Sequence, residues 1–485
     1  SAGLNIADNS VYSSIDEEYL VYCNVCCPSD RLYISYSSQT VSGESLEPSG
    51  FVRNALDKLS LTLNENNGEL DDFNLPETNA TAFTEYCKNK NIAPKTALTI
   101  AEAVKNTEIN DKINHINNST SGLEKNLNSD IAKKLYGSNI KLSATRFDTF
   151  NRCKFSYFCR YGLGAKKLQP AEFNVMQRGT IVHFVLEKLI TEHGDNIKNL
   201  SFNNLDSLTE KYIDLYLDSV NGYRNAENAK SKFLVSRISR SLKEVVHHIA
   251  SELSQSEFKP KACELSIGTK DADLNVTFPF DNGNISLVGS IDRVDEYNGY
   301  IRIIDYKTGS KSFKLPDILF GLNLQMLIYL YAVIRGNGVE DKKTAGILYQ
   351  PSSRDLNNNG LAMNGLLPLE PELIFAMDKA GAGDFVPKLY FNKDGSVSKR
   401  SNSFIEKENF SEIFDYIELL MKKTGNEITS GKIAVAPTDG RESPACKYCE
   451  FSSVCGFENG TPKKVPEINN DEVFEKIKEA KTNGI

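Results

Sequence analysis

The sequence predicts a mixed α/β fold in which a β-sheet is flanked by helices. Two β-rich runs surround an Asn-Gly pair within residues 285–307, a pattern typical of a β-hairpin. An apolar helical run follows at residues 321–335, and a β-rich run at residues 344–349 completes the α/β pattern.

The chain divides into four stretches. Residues 1–45 contain an apolar segment at residues 19–22 and a segment at residues 32–36 that alternates like a strand. Residues 46–140 are rich in Asn, Lys and Glu, and helical stretches such as residues 96–104 predict a helical connecting region. Residues 141–457 hold nearly every feature with chemical content, and residues 458–485 form a polar, charged tail with one short helix.

The third stretch carries the predicted sheet. Its periodicity predicts a helix over residues 178–192 and strands over residues 261–268 and 272–280, ahead of the hairpin. The candidate functional residues therefore lie on or beside these elements.

Bulk composition limits the class of protein. The chain is 40% hydrophobic and 25% charged, as in soluble globular proteins, and its longest apolar runs are too short for a membrane span. A net charge of −8 argues against a non-specific coat on nucleic acid, although a local basic track is compatible with it. The first residues show neither an initiator Met nor a secretion signal, so we expect a cytoplasmic fragment of something longer.

The hairpin turn fixes which residues face each other. Asn298-Gly299 favours a type I′ turn, because both residues tolerate positive φ. If Tyr297 faces Tyr300, Asp295 faces Arg302 and Asp292 faces Asp305.

Two opposed carboxylates repel each other unless something compensates. A divalent cation such as Mg²⁺ would do so, and Lys307 emerges on the same strand face as Asp305 to stabilise phosphate charge or orient a water. The alternative is that Asp292 and Asp305 are solvated strand residues with Lys307 as their ion-pair partner. The apolar neighbours Val294 and Ile303 make a wholly solvated face less favourable.

Asp292, followed after twelve residues by Asp305-Tyr306-Lys307, resembles the RecB-type PD-(D/E)xK nuclease signature. Other pieces fit the same family, although each alone has an ordinary structural explanation. They are Arg178-Gly179-Thr180-Ile181-Val182-His183 opening a helix, Glu264 at the upstream acidic position, and Gln325-x-x-x-Tyr329, whose spacing puts both side chains on one helix face.

The resemblance implies a restriction-endonuclease-like sheet and a role for each residue. Asp292, Asp305, His183 and the Tyr306 carbonyl would be metal ligands, and Lys307 would assist the water and the transition state. Glu264, Gln325 and Tyr329 would position the metal, the water or the scissile strand.

Ten cysteines are too few for a disulfide scaffold, but three are clustered. Cys446-x₂-Cys449-x₅-Cys455, together with Cys153, resembles the [4Fe–4S] staple of AddB-type nuclease domains. A Cys₄ zinc site is the alternative, and Cys159 is a less favoured first ligand.

Residues 141–170 are basic and aromatic. One interpretation is a track for single-stranded DNA, and the other assigns the rings to the core and the cations to a solvated helix face. The cations are Lys141, Arg146, Arg152, Lys154, Arg160, Lys166 and Lys167, and the rings are Phe147, Phe150, Phe155, Tyr157 and Tyr161.

The amino-terminal stretch resembles the last motif of superfamily 1 helicases, but Cys26-Cys27-Pro28 replaces the element that supplies an arginine to ATP. No phosphate-binding G-x-x-x-x-G-K-[ST] loop occurs. The whole pattern resembles the carboxy-terminal part of AddB/RexB-type subunits, which implies a degenerate helicase-like tail before the nuclease domain. It further implies an AddA-type helicase–nuclease subunit as heterodimer partner and exonuclease action on linear DNA during double-strand-break repair.

Two other functions remain open from the sequence. One is a free-standing iron–sulfur single-strand exonuclease, which the helicase-like start argues against. The other is a non-catalytic DNA-binding scaffold, which the complete Asp292, Asp305 and Lys307 set argues against.

Overall fold

In a computed structural model of the chain, the described residues form two compact units, Ser1–Ile113 and Asn114–Ile485. The side chain of Arg178 and the whole of Lys167 lie outside the described residues. The structure describes residues 10–38, 45–63, 78–89, 94–105, 107–120, 126–166, 175–219, 229–268, 271–307, 313–336, 342–352, 360–381, 383–393, 402–440, 444–457 and 462–483.

The smaller unit is helical where it is described. Its helices are α1 (Ser10–Cys26), α2 (Gly50–Leu59), α3 (Asn79–Asn89), α4 (Pro94–Ala103) and the start of α5 (Glu108–Thr120). Ala82 and Tyr86, four residues apart on one face of α3, are buried together with Ala97 and Ile100 of α4.

The strand expected at residues 32–36 is wrong. These residues have no regular secondary structure, and Tyr33 is 83% exposed. Alternation alone does not make a strand, because a strand needs a partner for its main chain, and no strand in the described ranges pairs with this segment.

The larger unit contains the predicted sheet. Its strands are β1 (Asn139–Leu142), β2 (Lys259–Ile267), β3 (Thr277–Phe280), β4 (Gly283–Leu287), β5 (Gly289–Tyr297), β6 (Tyr300–Lys307), β7 (Lys343–Pro351), β8 (Asn364–Pro368), β9 (Phe404–Ile405), β10 (Thr438–Asp439) and β11 (Lys463–Lys464). Its helices are α6 (Ser129–Tyr136), α7 (Ala144–Arg152), α8 (Lys154–Tyr157), α9 (Val175–His193), α10 (Phe202–Ser219), α11 (Ala229–Gln255), α12 (Gln325–Arg335), α13 (Pro371–Met377), α14 (Lys407–Thr429), α15 (Ser452–Cys455) and α16 (Asn470–Asn483).

The main sheet has six strands in the order β2-β5-β6-β7-β8-β9. β2, β5 and β6 pair antiparallel, and β6 pairs parallel with β7 through the α12 crossover. A smaller sheet has the order β1-β4-β3. The mixed sheet predicted from the sequence is confirmed.

The six-stranded sheet separates two apolar cores. Along β6, Ile301 and Ile303 enter the first core, and Ile304 and Tyr306 enter the second. This alternation is the period-2 geometry of a strand buried on both faces. Helices α7, α12, α14 and α16 contribute to the first core, and helices α9, α10, α11 and α13 to the second.

Several element boundaries differ from the expected ones, and the strand predicted at residues 272–280 begins only at Thr277. The run at residues 285–307 is interrupted at Val288, so its first part belongs to the smaller sheet as β4. Helix α12 begins at Gln325 instead of residue 321, because Gly321 and Asn323 have φ of +69° and +56° and cannot continue a right-handed helix. None of the described helices has the length and apolar character needed to cross a membrane.

Candidate active site

The site starts where strands β5 and β6 separate. Their pairing aligns Tyr297 with Tyr300 and Asp295 with Arg302, which confirms the predicted register. The paired positions end one step before Asp292 and Asp305. There the Asp292 Oδ2 atom accepts a hydrogen bond from the Tyr306 N–H at 2.8 Å, so a side chain replaces the next main-chain contact.

Strand β2 brings a third carboxylate to this level. Its pairing aligns Cys263 with Arg293 and Leu265 with Ile291, which places Glu264 opposite Asp292 in the same register. Glu264 has φ of +46°, in the left-handed region, a conformation that costs a non-glycine residue about 1–2 kcal/mol. The Ser290 hydroxyl donates to Glu264 Oε2 at 2.7 Å. Backbone strain at an acidic residue is typical of functional sites.

Helix α9 supplies a histidine to the same point. His183 Nδ1 lies 3.4 Å from Asp292 Oδ1 and 3.7 Å from Glu264 Oε1, and Nε2 lies 3.2 Å from the Tyr306 carbonyl oxygen. One ligand atom each from His183, Glu264 and Asp292 lie within 4.8 Å of one another. One imidazole and two carboxylates at this spacing fit a divalent cation.

The charges of these three residues favour a protonated histidine when no metal is bound. Burial lowers the pKa of His183, but hydrogen bonds and charge from Asp292 and Glu264 outweigh it and raise the pKa to about 10. In turn, the hydrogen bond with His183 lowers the pKa of Glu264 against the effect of burial.

Asp305 and Lys307 form a separate pair beside this group. Lys307 Nζ lies 2.5 Å from Asp305 Oδ2, and Asp305 is 4% exposed. Both the nuclease interpretation and the alternative of a solvated strand face predict this ion pair. The burial of Asp305 excludes a fully solvated strand face.

Helix α12 covers the site from the side of the first core. Tyr329 is 6% exposed, and this burial raises the pKa of its hydroxyl. The hydrogen bond with Gln325 lowers that pKa, whereas the charges of Asp305, Asp292 and Glu264 raise it further. The tyrosine hydroxyl is therefore within electrostatic reach of all three carboxylates. Tyr329 therefore lies beside the candidate site, and Gln325 is its hydrogen-bond partner.

Residues 141–456 match the PD-(D/E)XK nuclease superfamily. The match covers more than half of the chain. The chain belongs to the PD-(D/E)XK nuclease superfamily.

Relatives are similar over a wider range than the superfamily match. The chain is 28% identical to the B subunit of an ATP-dependent helicase/deoxyribonuclease from Clostridium tetani, over 98% of this chain and 45% of that protein. It is 28% identical to the protein of the same name in Clostridioides difficile, over 98% of this chain and 46% of that protein. A third, from Thermoanaerobacter sp. (strain X514), is 31% identical over 67% of this chain and 30% of that protein. The chain thus spans about half the length of the first two.

Two residues beside the candidate site were not recognised from the sequence. Ser290 holds Glu264, and Gly289 leaves room for Tyr329, because a Cβ atom at Gly289 would lie 2.8 Å from the Tyr329 hydroxyl oxygen. Ser290 lies two residues before Asp292, so strand alternation could have placed it on the same face. The contact of Gly289 with Tyr329 depends on the α12 crossover, which no local pattern reveals.

A buried charge network lies on the opposite face of β5 and β6. Arg293 Nη2 lies 3.1 Å from Glu252 on α11, Arg293 Nε lies 2.7 Å from Asp295 Oδ1, and Arg302 Nη2 lies 2.8 Å from Asp295 Oδ2. All four side chains, including that of Glu252, are at most 1% exposed. Burial disfavours a charged Asp295, but Arg293 and Arg302 outweigh it and lower its pKa.

The four cysteines singled out from the sequence lie close enough to influence one another electrostatically. Burial raises the pKa of Cys153, and charge on Cys449 and Cys455 raises it further. The pKa of Cys446 is raised by burial and by its interactions with the other three. Cys159 also interacts with Cys153, Cys449 and Cys455, and Arg160 pairs with Glu450 at 2.8 Å.

The aromatic residues of the basic stretch belong mainly to the core. Phe147 and Phe150 are each 1% exposed and Tyr157 is 3% exposed, so they cannot stack on bases. Phe155 and Tyr161 are half-buried. The structure thus favours the interpretation that assigns the aromatic rings to the core.

Proposed function

We propose that this chain hydrolyses DNA phosphodiesters in a metal-dependent reaction, at the site that Glu264, Asp292, Asp305 and Lys307 form. The observation that carries the proposal is the convergence of three carboxylates from the adjacent strands β2, β5 and β6, with His183 against two of them. Such a convergence is electrostatically unfavourable without a cation.

His183, Glu264 and Asp292 are the residues that would hold the metal, with Asp305 and the Tyr306 carbonyl as further ligands. We propose Mg²⁺ as the ion, because oxygen ligands dominate the set. When bound, the ion would supply positive charge to the scissile phosphate.

The other residues act on the phosphate and the strand. Lys307 is held by Asp305, and its ammonium group would stabilise the negative charge that develops as the phosphodiester is attacked. Gln325 and Tyr329 are linked by a hydrogen bond and would orient the attacking water or the scissile strand. Partial burial of these groups strengthens each electrostatic contribution.

The named relatives support a proposal for the biological setting. The B subunits of two helicase/deoxyribonucleases match the chain over nearly its whole length, which supports a nuclease subunit over a free-standing exonuclease. We propose exonuclease action on a single strand of linear DNA, beside an AddA-type motor subunit in the cytoplasm, during processing of double-strand breaks for recombinational repair.

We further propose that Cys153, Cys446, Cys449 and Cys455 hold a [4Fe–4S] cluster. The thiols join the two ends of residues 141–457, so a cluster would fasten that region together. A tetrahedral zinc site with the same four thiolates is the alternative, and metal analysis of the purified protein distinguishes the two.

The nuclease proposal is tested by cleavage of end-labelled, linear single-stranded DNA by anaerobically purified protein with Mg²⁺. We expect Asp305→Asn and Lys307→Ala each to reduce cleavage by a factor of about 10² or more. Asp415→Asn makes the same chemical change in a surface ion pair and should cleave normally. Equal cleavage by the unsubstituted chain and Asp305→Asn would refute the assigned site.

The cluster proposal is tested with Cys446→Ser. We expect iron content to fall and the melting temperature of residues 141–457 to drop, because the substituted thiolate ligand is lost. Cys87→Ser alters an exposed thiol in the smaller unit and serves as control. An unchanged iron content and melting curve in Cys446→Ser would count against the cluster.

A further inference from the structure

Four lysines lie close to one another, and two of them pair with the Glu427 carboxylate. We call Lys154, Lys423, Lys432 and Lys463 the lysine patch; they lie at the start of α8, in α14, just after α14 and in β11. Lys154 Nζ lies 2.6 Å from Glu427 Oε2, and Lys432 Nζ lies 3.5 Å from Glu427 Oε1. Lys423 precedes Glu427 by one helical turn and so shares its face.

The patch carries more positive charge than the fold needs. Burial lowers the pKa of Lys423, Glu427 opposes this, and the charges of the other three lysines lower it further. Like charges at this range cost free energy in the protein alone. A local cost that one carboxylate offsets only in part is expected where a protein binds a ligand of opposite charge.

The patch borders the segment that connects the two halves of the candidate active site. Lys463 Nζ lies 5.0 Å from the centroid of the Phe320 ring, and Phe320 is in the short helix between Lys307 and Gln325. On the other side, Lys154 follows Cys153 directly and lies 5.6 Å from the Phe150 ring.

The surface next to the patch is electrically balanced, so the excess charge is local. A cavity of about 560 Å³ contains two lysines and two carboxylates among its lining residues, which include Lys314, Asp439, Lys464 and Glu467. The patch itself combines four lysines with Glu427, whose side chain is 16% exposed. The net charge of −8 for the chain makes this local excess more notable.

We propose that the lysine patch binds the phosphate backbone of a single DNA strand outside the metal centre and delivers it toward Lys307 and Gln325. The choice of DNA rests on the proposed nuclease function. Lysine ammonium groups are compact charges with rotatable donors, which suit successive phosphates whatever the base sequence. The rings of Phe147 and Phe150 are buried and do not contribute to this contact, which rests on the charges of the lysines.

The test is the binding of fluorescein-labelled oligo(dT) in EDTA, followed by anisotropy over a range of salt concentrations. Lys423→Gln combined with Lys463→Gln removes two cations without unpairing Glu427 from Lys154 or Lys432. We expect Kd to rise roughly tenfold and the slope of log K against log salt to fall in magnitude by about 1.4, since each phosphate contact of a single strand contributes about 0.7.

The matched control replaces two exposed lysines over the second core, Lys211→Gln with Lys388→Gln. It should leave affinity and salt slope unchanged, and both double variants should melt like the unsubstituted chain. An unchanged Kd in the patch variant, or equal weakening by the control, would overturn the proposal in favour of a protein-docking surface or a non-specific charge effect. Weakened binding by the patch variant alone would support it even if the chain failed to cleave, which separates this proposal from the nuclease function.

Discussion

His183 is the residue at which the proposed metal would compete with a proton. Its ring contacts two carboxylates and one carbonyl oxygen, and a pKa of about 10 means that it carries a proton at neutral pH without metal. A metal ligand must give up that proton. The proposed binding of a metal by His183 would therefore couple metal uptake to proton release.

We expect uptake of one Mn²⁺ or Mg²⁺ to release about one proton per chain across the neutral range, so that affinity increases with pH up to about 10. The sign follows from the raised pKa: below it, metal and proton compete for the same nitrogen. Calorimetry in buffers of different ionisation enthalpy measures the released proton. His183→Gln should bind metal more weakly and without this release, and a buffer-independent heat in the unsubstituted chain would contradict the prediction.

At the scale of residues, the sequence predicted where side chains lie along the strands better than it predicted their backbone conformations and contacts. Asp292, Asp305 and Lys307 could be placed because the Asn298-Gly299 turn fixes the register of two adjacent strands. The left-handed backbone of Glu264 could not be predicted, because acidic residues have no local preference for that conformation in a strand. Their roles in catalysis stay predictions until the variants are measured.

At the scale of elements, the contact between β5 and α12 determines where Tyr329 lies. Gly289 opens β5, and the Tyr329 ring occupies the space where a side chain would be. Helix α12 was predicted from its apolar run, but its docking was not, since a crossover helix meets the sheet only after long-range folding. The strand predicted at residues 32–36 is wrong for a related reason, because local alternation cannot show whether a second strand pairs with it.

We expect Gly289→Ala to lower the single-turnover cleavage rate by about tenfold, because the added Cβ atom would displace the Tyr329 ring. The cost in stability should be about 1–3 kcal/mol, as for other overpacked sites. Tyr329→Phe removes the hydroxyl that makes the closest contact, so adding it to Gly289→Ala should cause little further loss. A Gly289→Ala chain that cleaves at the unsubstituted rate would rule out this positioning.

At the scale of the molecule, the sheet holds charges on both faces of β5 and β6. The carboxylates of the candidate site lie on one side, and the paired network of Glu252, Arg293, Asp295 and Arg302 lies on the other. The sequence predicted that Asp295 faces Arg302. It did not predict Glu252, which arrives from α11, far away in sequence.

We expect Glu252→Gln to reduce the free energy of unfolding by about 3–5 kcal/mol, because two buried arginines would then share one carboxylate. Urea denaturation of the metal-free chain measures this change. Glu418→Gln alters a half-exposed ion pair with Arg335 and should cost no more than about 1 kcal/mol. A comparable small loss in Glu252→Gln would show that the network is not needed for stability.

Asp292 uses its two carboxylate oxygens for different purposes. Oδ2 accepts the Tyr306 N–H, and Oδ1 faces His183. The hydrogen bond from the Tyr306 N–H stabilises the sheet. It would still be needed if the contact with His183 no longer served to bind a metal. A descendant of this chain that no longer bound metal would still require a hydrogen-bond acceptor here, since an unpaired buried N–H costs about 1–3 kcal/mol. In such an inactive lineage we therefore expect Asn at this position more often than Ala.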